Sequence, residues 1–191
     1  MSESGQPSVR YQRSSGGLLA ALVVTVVAVA AFAGFRALTN SPPATPVTTV
    51  DYATAVKGAR ADHELMVLAP PRLPAGWKAT SVSYLTGMSP SWHLGMLTDT
   101  GHYVGVEEAR TTIAELAQQY VDPNATRGKD VQIGGSTWQT WTDTGGDYAV
   151  ARSLTARGTP VESWLVVGTA PQAQVQALAA SLVGGRVPRA K

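Results

Sequence analysis

The spacing of apolar positions changes several times along this chain, and each change predicts an element. The first stretch has no polar face at all. From Leu18 to Phe35 the residues are LLAALVVTVVAVAAFAGF, without a charge. At about 1.5 Å per residue this spans roughly 27 Å, close to the apolar thickness of a bilayer and longer than the apolar region of most signal peptides. A membrane helix is therefore expected over 18–38. Arg10 and Arg13 precede it and only Arg36 closes it, an asymmetry that puts the N-terminus in the cytoplasm and the rest outside. Ala28-Val29-Ala30 and Ala31-Phe32-Ala33 offer cleavage triplets, so a removed signal peptide stays open as the alternative.

Three later segments repeat their apolar residues at the helical spacing of three and four. Tyr52, Ala55, Val56 and Ala59 do so behind Asp51, a capping residue. Ile113, Leu116, Ala117 and Tyr120 do so behind Thr112, which forms a capping box with Glu115. Val175, Leu178 and Leu182 mark a third helix from about Pro171. Thr169 and Gln172 are its expected capping box, and Gly184-Gly185 its stop. Between the helices the period drops to two, over Lys78–Thr86, Trp92–Thr98, His102–Glu108, Ser136–Thr142, Tyr148–Thr155 and Val161–Val167. These segments are rich in Val, Thr, Tyr and Trp, as strands are.

One hairpin can be registered. If Asp99-Thr100-Gly101 is a three-residue loop, Thr98 pairs with His102, Leu94 with Val106 and Met96 with Val104. Trp92, Leu94, Met96, Val104 and Val106 then share one face, and a slip of one residue would scatter them. Hairpin connections imply antiparallel pairing. The fold class expected is α+β: a membrane helix, then one extracytoplasmic domain with a mainly antiparallel sheet covered by about three helices.

The organisation follows. Residues 1–17 read as a short polar cytoplasmic tail, 18–38 as the membrane helix and 39–50 as a Pro/Thr linker. Residues 51–185 form the domain and 186–191 a basic tail. The chain has 15 basic and 13 acidic residues. From Asp51 onward the two signs are equal in number, so the basic surplus surrounds the membrane segment. A folded nucleic-acid binder concentrates positive charge on a face, and nucleic acid is not an expected partner. With no cysteine, thiol nucleophiles, disulfides and cysteine-ligated metals are excluded.

Asp-Thr-Gly occurs twice, at Asp99 and at Asp143, each time after a threonine. Two such loops can form a carboxylate pair that activates water, but that needs two lobes or a dimer, and the same tripeptide suits a tight hairpin. The turn reading is preferred, and the repeat is read as the trace of an internal duplication. His93 and His102 fall on opposite faces of the registered hairpin, about 17 Å apart along it, and cannot share a metal. His93 faces Glu107 across the strands. Trp138 and Trp141 have opposite parity on one strand, so one of them is expected to face outward. His93, Glu107, Trp138 and Trp141 are the candidate partner or ligand surface. No catalytic set, cofactor site or metal site is visible.

Leu73-Pro74-Ala75-Gly76-Trp77, Gly101-His102-Tyr103-Val104-Gly105, Gly135-Ser136-Thr137-Trp138 and Val167-Gly168-Thr169-Ala170, in this order and spacing, resemble an actinobacterial family, Domain of Unknown Function 4245. The resemblance implies a single-pass envelope protein and adds no activity, cofactor or catalytic residue. The expected function is a non-enzymatic accessory domain of the cell envelope that binds an envelope protein or a cell-wall component. The alternative is a binding domain for a lipid or other apolar ligand.

Overall fold

Eight strands form one antiparallel sheet: β1 (Lys78–Leu85), β2 (Ser91–Leu97), β3 (Tyr103–Ala109), β4 (Thr126–Arg127), β5 (Val131–Ile133), β6 (Ser136–Thr142), β7 (Tyr148–Ala156) and β8 (Thr159–Gly168). Their spatial order is β1-β2-β3-β8-β7-β6-β4, with β5 also paired to β6. The helices are α1 (Tyr52–Ala61), α2 (Ile113–Tyr120) and α3 (Gln172–Ser181). This computed structural model describes residues 48–156 and 159–185. The expected tail 1–17, membrane helix 18–38 and basic tail 186–191 lie outside the described residues, as does most of the linker. No helix among the described residues is long and apolar enough to cross a membrane.

The registered hairpin forms as expected, with Leu94 opposite Val106 and Met96 opposite Val104. Trp92, Leu94, Met96, Val104 and Val106 are all buried. They join Val150 and Val166 from the far half of the sheet, and Val56, Val175 and Leu178 from α1 and α3. Each such side chain contributes roughly 1.5–3 kcal/mol by leaving water. The opposite face carries Ala149, Ala151, Leu165 and Val167, closed by Leu116 of α2. The domain is thus a sheet between α1 with α3 on one side and α2 on the other. Because α2 packs on β7 and β8, no helix among the described residues covers the β1–β2 end of its face.

A strap connects α1 to β1, and its buried part needs partners for its backbone. Leu65, Val67, Leu68 and Ala69 are buried, and a buried peptide N–H without an acceptor is costly. Two carboxylates supply the acceptors. Val67 N–H donates to Glu108 Oε1 at 2.8 Å, Leu68 N–H to Glu108 Oε2 at 2.7 Å and Met66 N–H to Glu162 Oε1 at 3.0 Å. Arg60 of α1 donates to the carbonyls of Val67 and Val183, at 2.9 and 2.6 Å through Nη2. The Trp92 indole donates to the Leu68 carbonyl.

Several expectations are corrected. The capping box of Thr112 and Glu115 is present, but that of Thr169 and Gln172 is not. Pro171 occupies the cap of α3 without a side-chain bond, and Thr169 Oγ1 instead accepts from the N–H of Tyr103. The helix stops at Ser181 because Leu182 turns extended and Val183 bridges to Ala69. Gly184 and Gly185 lie against Met66, Leu68 and Arg60 rather than ending the helix. Ile113 and Leu182, on the apolar stripes of their helices, are half-buried rather than buried. The short strands β4 and β5 were too brief to show alternation. The two Thr-Asp-Thr-Gly hairpins continue differently, since β3 is followed by α2 but β7 by β8.

Candidate functional site

Residue parity on β1 shifts at one point, and the site grows from that shift. Ala79 pairs with Met96 and faces the core, so strict alternation would turn Ser81 inward as well. A β-bulge intervenes: the next pairs are Ser81 with Gly95, Val82 with Leu94 and Ser83 with His93. Thr80 is the residue without a partner. The bulge sends Val82 to the core and rotates Ser81 to the open face, as bulges commonly re-aim side chains.

On that face three side chains form a row across three strands. Ser81 Oγ lies 2.8 Å from His93 Nε2, and His93 Nδ1 lies 2.7 Å from Glu107 Oε1. His93 is 28% exposed while Glu107 is 2% exposed. Burial raises the Glu107 carboxyl above its ordinary range, against the hydrogen bond from His93. That hydrogen bond in turn raises His93, against the imidazole's own burial. Glu107 Oε2 has no hydrogen-bond partner. Glycines flank the row because nothing larger fits. A Cβ on Gly95 would run into Ser81 Oγ, and one on Gly105 would lie 2.7 Å from the Tyr103 hydroxyl. The Tyr103 hydroxyl is itself pushed up to about 12, first by burial and then by the Glu107 charge.

The other candidate residues separate. Trp138 is 5% exposed and packs in the core, so it offers no surface. Glu107, at 2% exposed, offers none either. Trp141 is half-buried; its indole N–H has no partner, and it lines a hollow with Ile113, Gln139 and Ser153. Sequence reasoning found His93 with Glu107 through the register but missed Ser81, because only the bulge brings Ser81 to them.

The two Asp-Thr-Gly loops form no carboxylate pair. They sit at the same end of the sheet, on the β2–β3 and β6–β7 turns. Three strand spacings separate them, about 14 Å at roughly 4.8 Å each. Asp143 Oδ1 accepts from the N–H groups of Gly146 and Asp147 at 2.8 and 2.7 Å. Asp99 makes no such bond; the Thr98 hydroxyl accepts the N–H of His102 in its place. The turn glycines with positive φ are Gly101 and Gly146, the second where Gly145 was expected. Among the described residues no three His, Asp or Glu side chains converge on a metal position.

The family described as Protein of unknown function (DUF4245) matches residues 10–182. The chain belongs to this family. No curated protein matches this chain. Among solved structures, the crystal structure of MucB in complex with MucA(peri) is similar at 14% identity and a TM-score of 0.36, covering 62% of this chain and 36% of that one. The complex of Pseudomonas aeruginosa MucA/MucB is similar at 13% identity and a TM-score of 0.35, covering 62% and 35%. This DUF4245 chain spans about a third of the length of those chains.

Proposed function

We propose that this DUF4245 protein is a cell-envelope protein of the plasma membrane. It is anchored by a single helix over 18–38, with its N-terminus cytoplasmic and its domain outside. The domain serves as an accessory module that docks a partner polypeptide, and the reading asks no catalysis of it. The carrying observation is the edge of the sheet. Among the described residues β1 is paired on one side only, and beside its end Leu85 is 59% and Met88 103% exposed. Soluble domains usually blunt an edge strand with charge, proline or cover. Here Val50 covers only the start, through its N–H to the Ala79 carbonyl. An extended segment can add to the remaining edge by backbone hydrogen bonds and gain apolar contact with Leu85 and Met88. Uncharged residues from Ala79 to Leu85 suit a partner of either charge.

The test is crosslinking in native membranes followed by mass spectrometry, on wild type and on Leu85→Glu with Met88→Glu. One stoichiometric envelope protein, lost in the double variant while its melting temperature holds, supports the reading. An unchanged crosslink pattern overturns it.

A second reading, an apolar ligand, is favoured by a hollow of about 350 Å³ between α1 and the strap. Tyr52, Val56, Lys57, Ala69, Pro70 and Pro71 are among the residues that line it. That volume is at the lower end of small-molecule sites. Lipid that co-purifies with the wild type and is lost on Val56→Asp would select this reading.

A further inference from the structure

We propose that Ser81 is an activated nucleophile, with His93 as its general base and Glu107 as the group that orients the base, acting on neutral carboxylic esters. This goes beyond partner docking and does not rest on it. Three observations combine. The distances of 2.8 Å from Ser81 Oγ to His93 Nε2 and 2.7 Å from His93 Nδ1 to Glu107 Oε1 are those of a nucleophile, a base and its orienter. The third member is buried while the base reaches solvent. That order lets a substrate approach Ser81 while Glu107 stays dry. Finally, the bulge at Thr80 is what turns Ser81 to this face. Regular pairing would have left His93 without it, and bulges gather next to active sites.

The row also narrows the substrate. Among the described residues its only fixed charge is the Glu107 carboxylate; His93, Tyr103 and Tyr120 face it, none a permanent cation, and Asp147 near Tyr103 adds only negative charge. An anionic substrate is repelled, and a neutral acyl group is not. The ring of Tyr103 crowds the floor at Gly95 and Gly105, which favours a small acyl group. β1 is the sheet edge, and an edge strand presents unpaired backbone N–H groups, the type of donor that holds a developing oxyanion.

The chemistry balances without a cofactor. Ser81 Oγ bonds to the ester carbonyl carbon while its proton passes to His93 Nε2. The carbon–alkoxide bond then breaks, and the alkoxide leaves as an alcohol with that proton. Water attacks the acylated Ser81, giving a proton to His93 Nε2. The acid departs as Ser81 Oγ recovers that proton. The sum is ester and water to acid and alcohol.

The experiment treats the full chain, in membranes or detergent, with diisopropyl fluorophosphate and maps the adduct by peptide mass spectrometry. The expected result is one phosphorylated serine, Ser81, with fluoride released and with exposed Ser83 unmodified. Ser81→Ala abolishes the adduct. His93→Gln, which retains a polar side chain beside Glu107, slows labelling about 100-fold or more in protein that still unfolds in one cooperative thermal transition. The wild-type rate rises with pH through a midpoint above the ordinary histidine value, where His93 becomes neutral. No adduct on folded wild type overturns the proposal, and so does labelling of Ser81 at an equal rate in His93→Gln.

Discussion

The N–H of Val67 donates to Glu108 Oε1 at 2.8 Å, tying the strap to the middle of the sheet by a carboxyl group that is 1% exposed. Val67 has a positive φ of 52°, a conformation that a β-branched residue adopts at a cost. Buried contacts and this hydrogen bond hold it there. Glu108 accepts a second N–H from Leu68 and lies against Glu162.

That arrangement fixes a pH dependence. Burial first, and then Glu162, push Glu108 from 4.5 up to about 8, although the two backbone N–H groups pull the other way. The folded state therefore holds this proton more tightly than the unfolded chain does. The associated stability is complete below about pH 4.5 and is lost as pH rises through about 8. His93 and Glu107 are raised too and act in the same sense. Glu115 acts oppositely: its bonds from Thr111 and Thr112 lower it to about 2, so its contribution disappears in acid. Melting temperatures measured from pH 4 to 9 should peak on the mildly acidic side and fall toward pH 9. Glu108→Gln should flatten the alkaline fall, and an unchanged slope would show that Glu108 is not its source.

The two Asp-Thr-Gly turns should respond unequally. Asp143→Ala removes the acceptor for two N–H groups and should cost about 1–2 kcal/mol in urea unfolding. Asp99→Ala, at an exposed tip, should stay within about 0.5 kcal/mol. Gly101→Val should cost about 1–3 kcal/mol, because φ there is +82°. Equal costs at the two aspartates would contradict this account of the turns.

Gly168→Ala should be among the worst small substitutions in the sheet. A Cβ there would strike the Tyr103 carbonyl oxygen and lie 2.9 Å from Cα of Val104. Both are backbone atoms of the neighbouring strand and cannot swing aside, so the loss should be about 1–3 kcal/mol or more. Gly58→Ala, in α1 with nothing within 4 Å of its Cβ, should stabilise by about 0.4–1 kcal/mol. Thermal unfolding of the pair decides both.

Residues 48–185 expressed alone should fold and unfold in one cooperative transition. Both apolar clusters and the strap's acceptors are contained within that span. Beginning at 51 would lose the bond from Val50 to Ala79 and should lower the melting temperature. A fragment without a cooperative transition would mean that something outside it completes the core.

Much of the sheet could be read from the chain because its strands alternate cleanly. Leu94, Met96, Val104 and Val106 allowed one register, and β6 falls on the expected Ser136–Thr142. Thr112 with Glu115 was legible since a capping box is a local device. What escaped is nonlocal or aperiodic. The bulge at Thr80 breaks the period by which β1 is recognised. Glu108 and Glu162 look like surface residues until the strap, forty positions earlier in the chain for Leu68 and Glu108, presents its N–H groups to them. Trp138 and Trp141 showed opposite parity correctly, but parity could not say which face α2 would cover.

The pairing of β3 with β8 has a kinetic consequence. Strands β1 to β3 are joined by short turns, and so are β6 to β8, whereas Val104 finds Gly168 only after the whole intervening chain has been placed. Each meander can zip locally at little entropic cost, but their junction must close a long loop before its contacts repay it. Folding should therefore be limited by the meeting of two preformed halves. Substitutions along that junction, Gly168→Ala first among them, should slow refolding more than substitutions of equal cost in either hairpin.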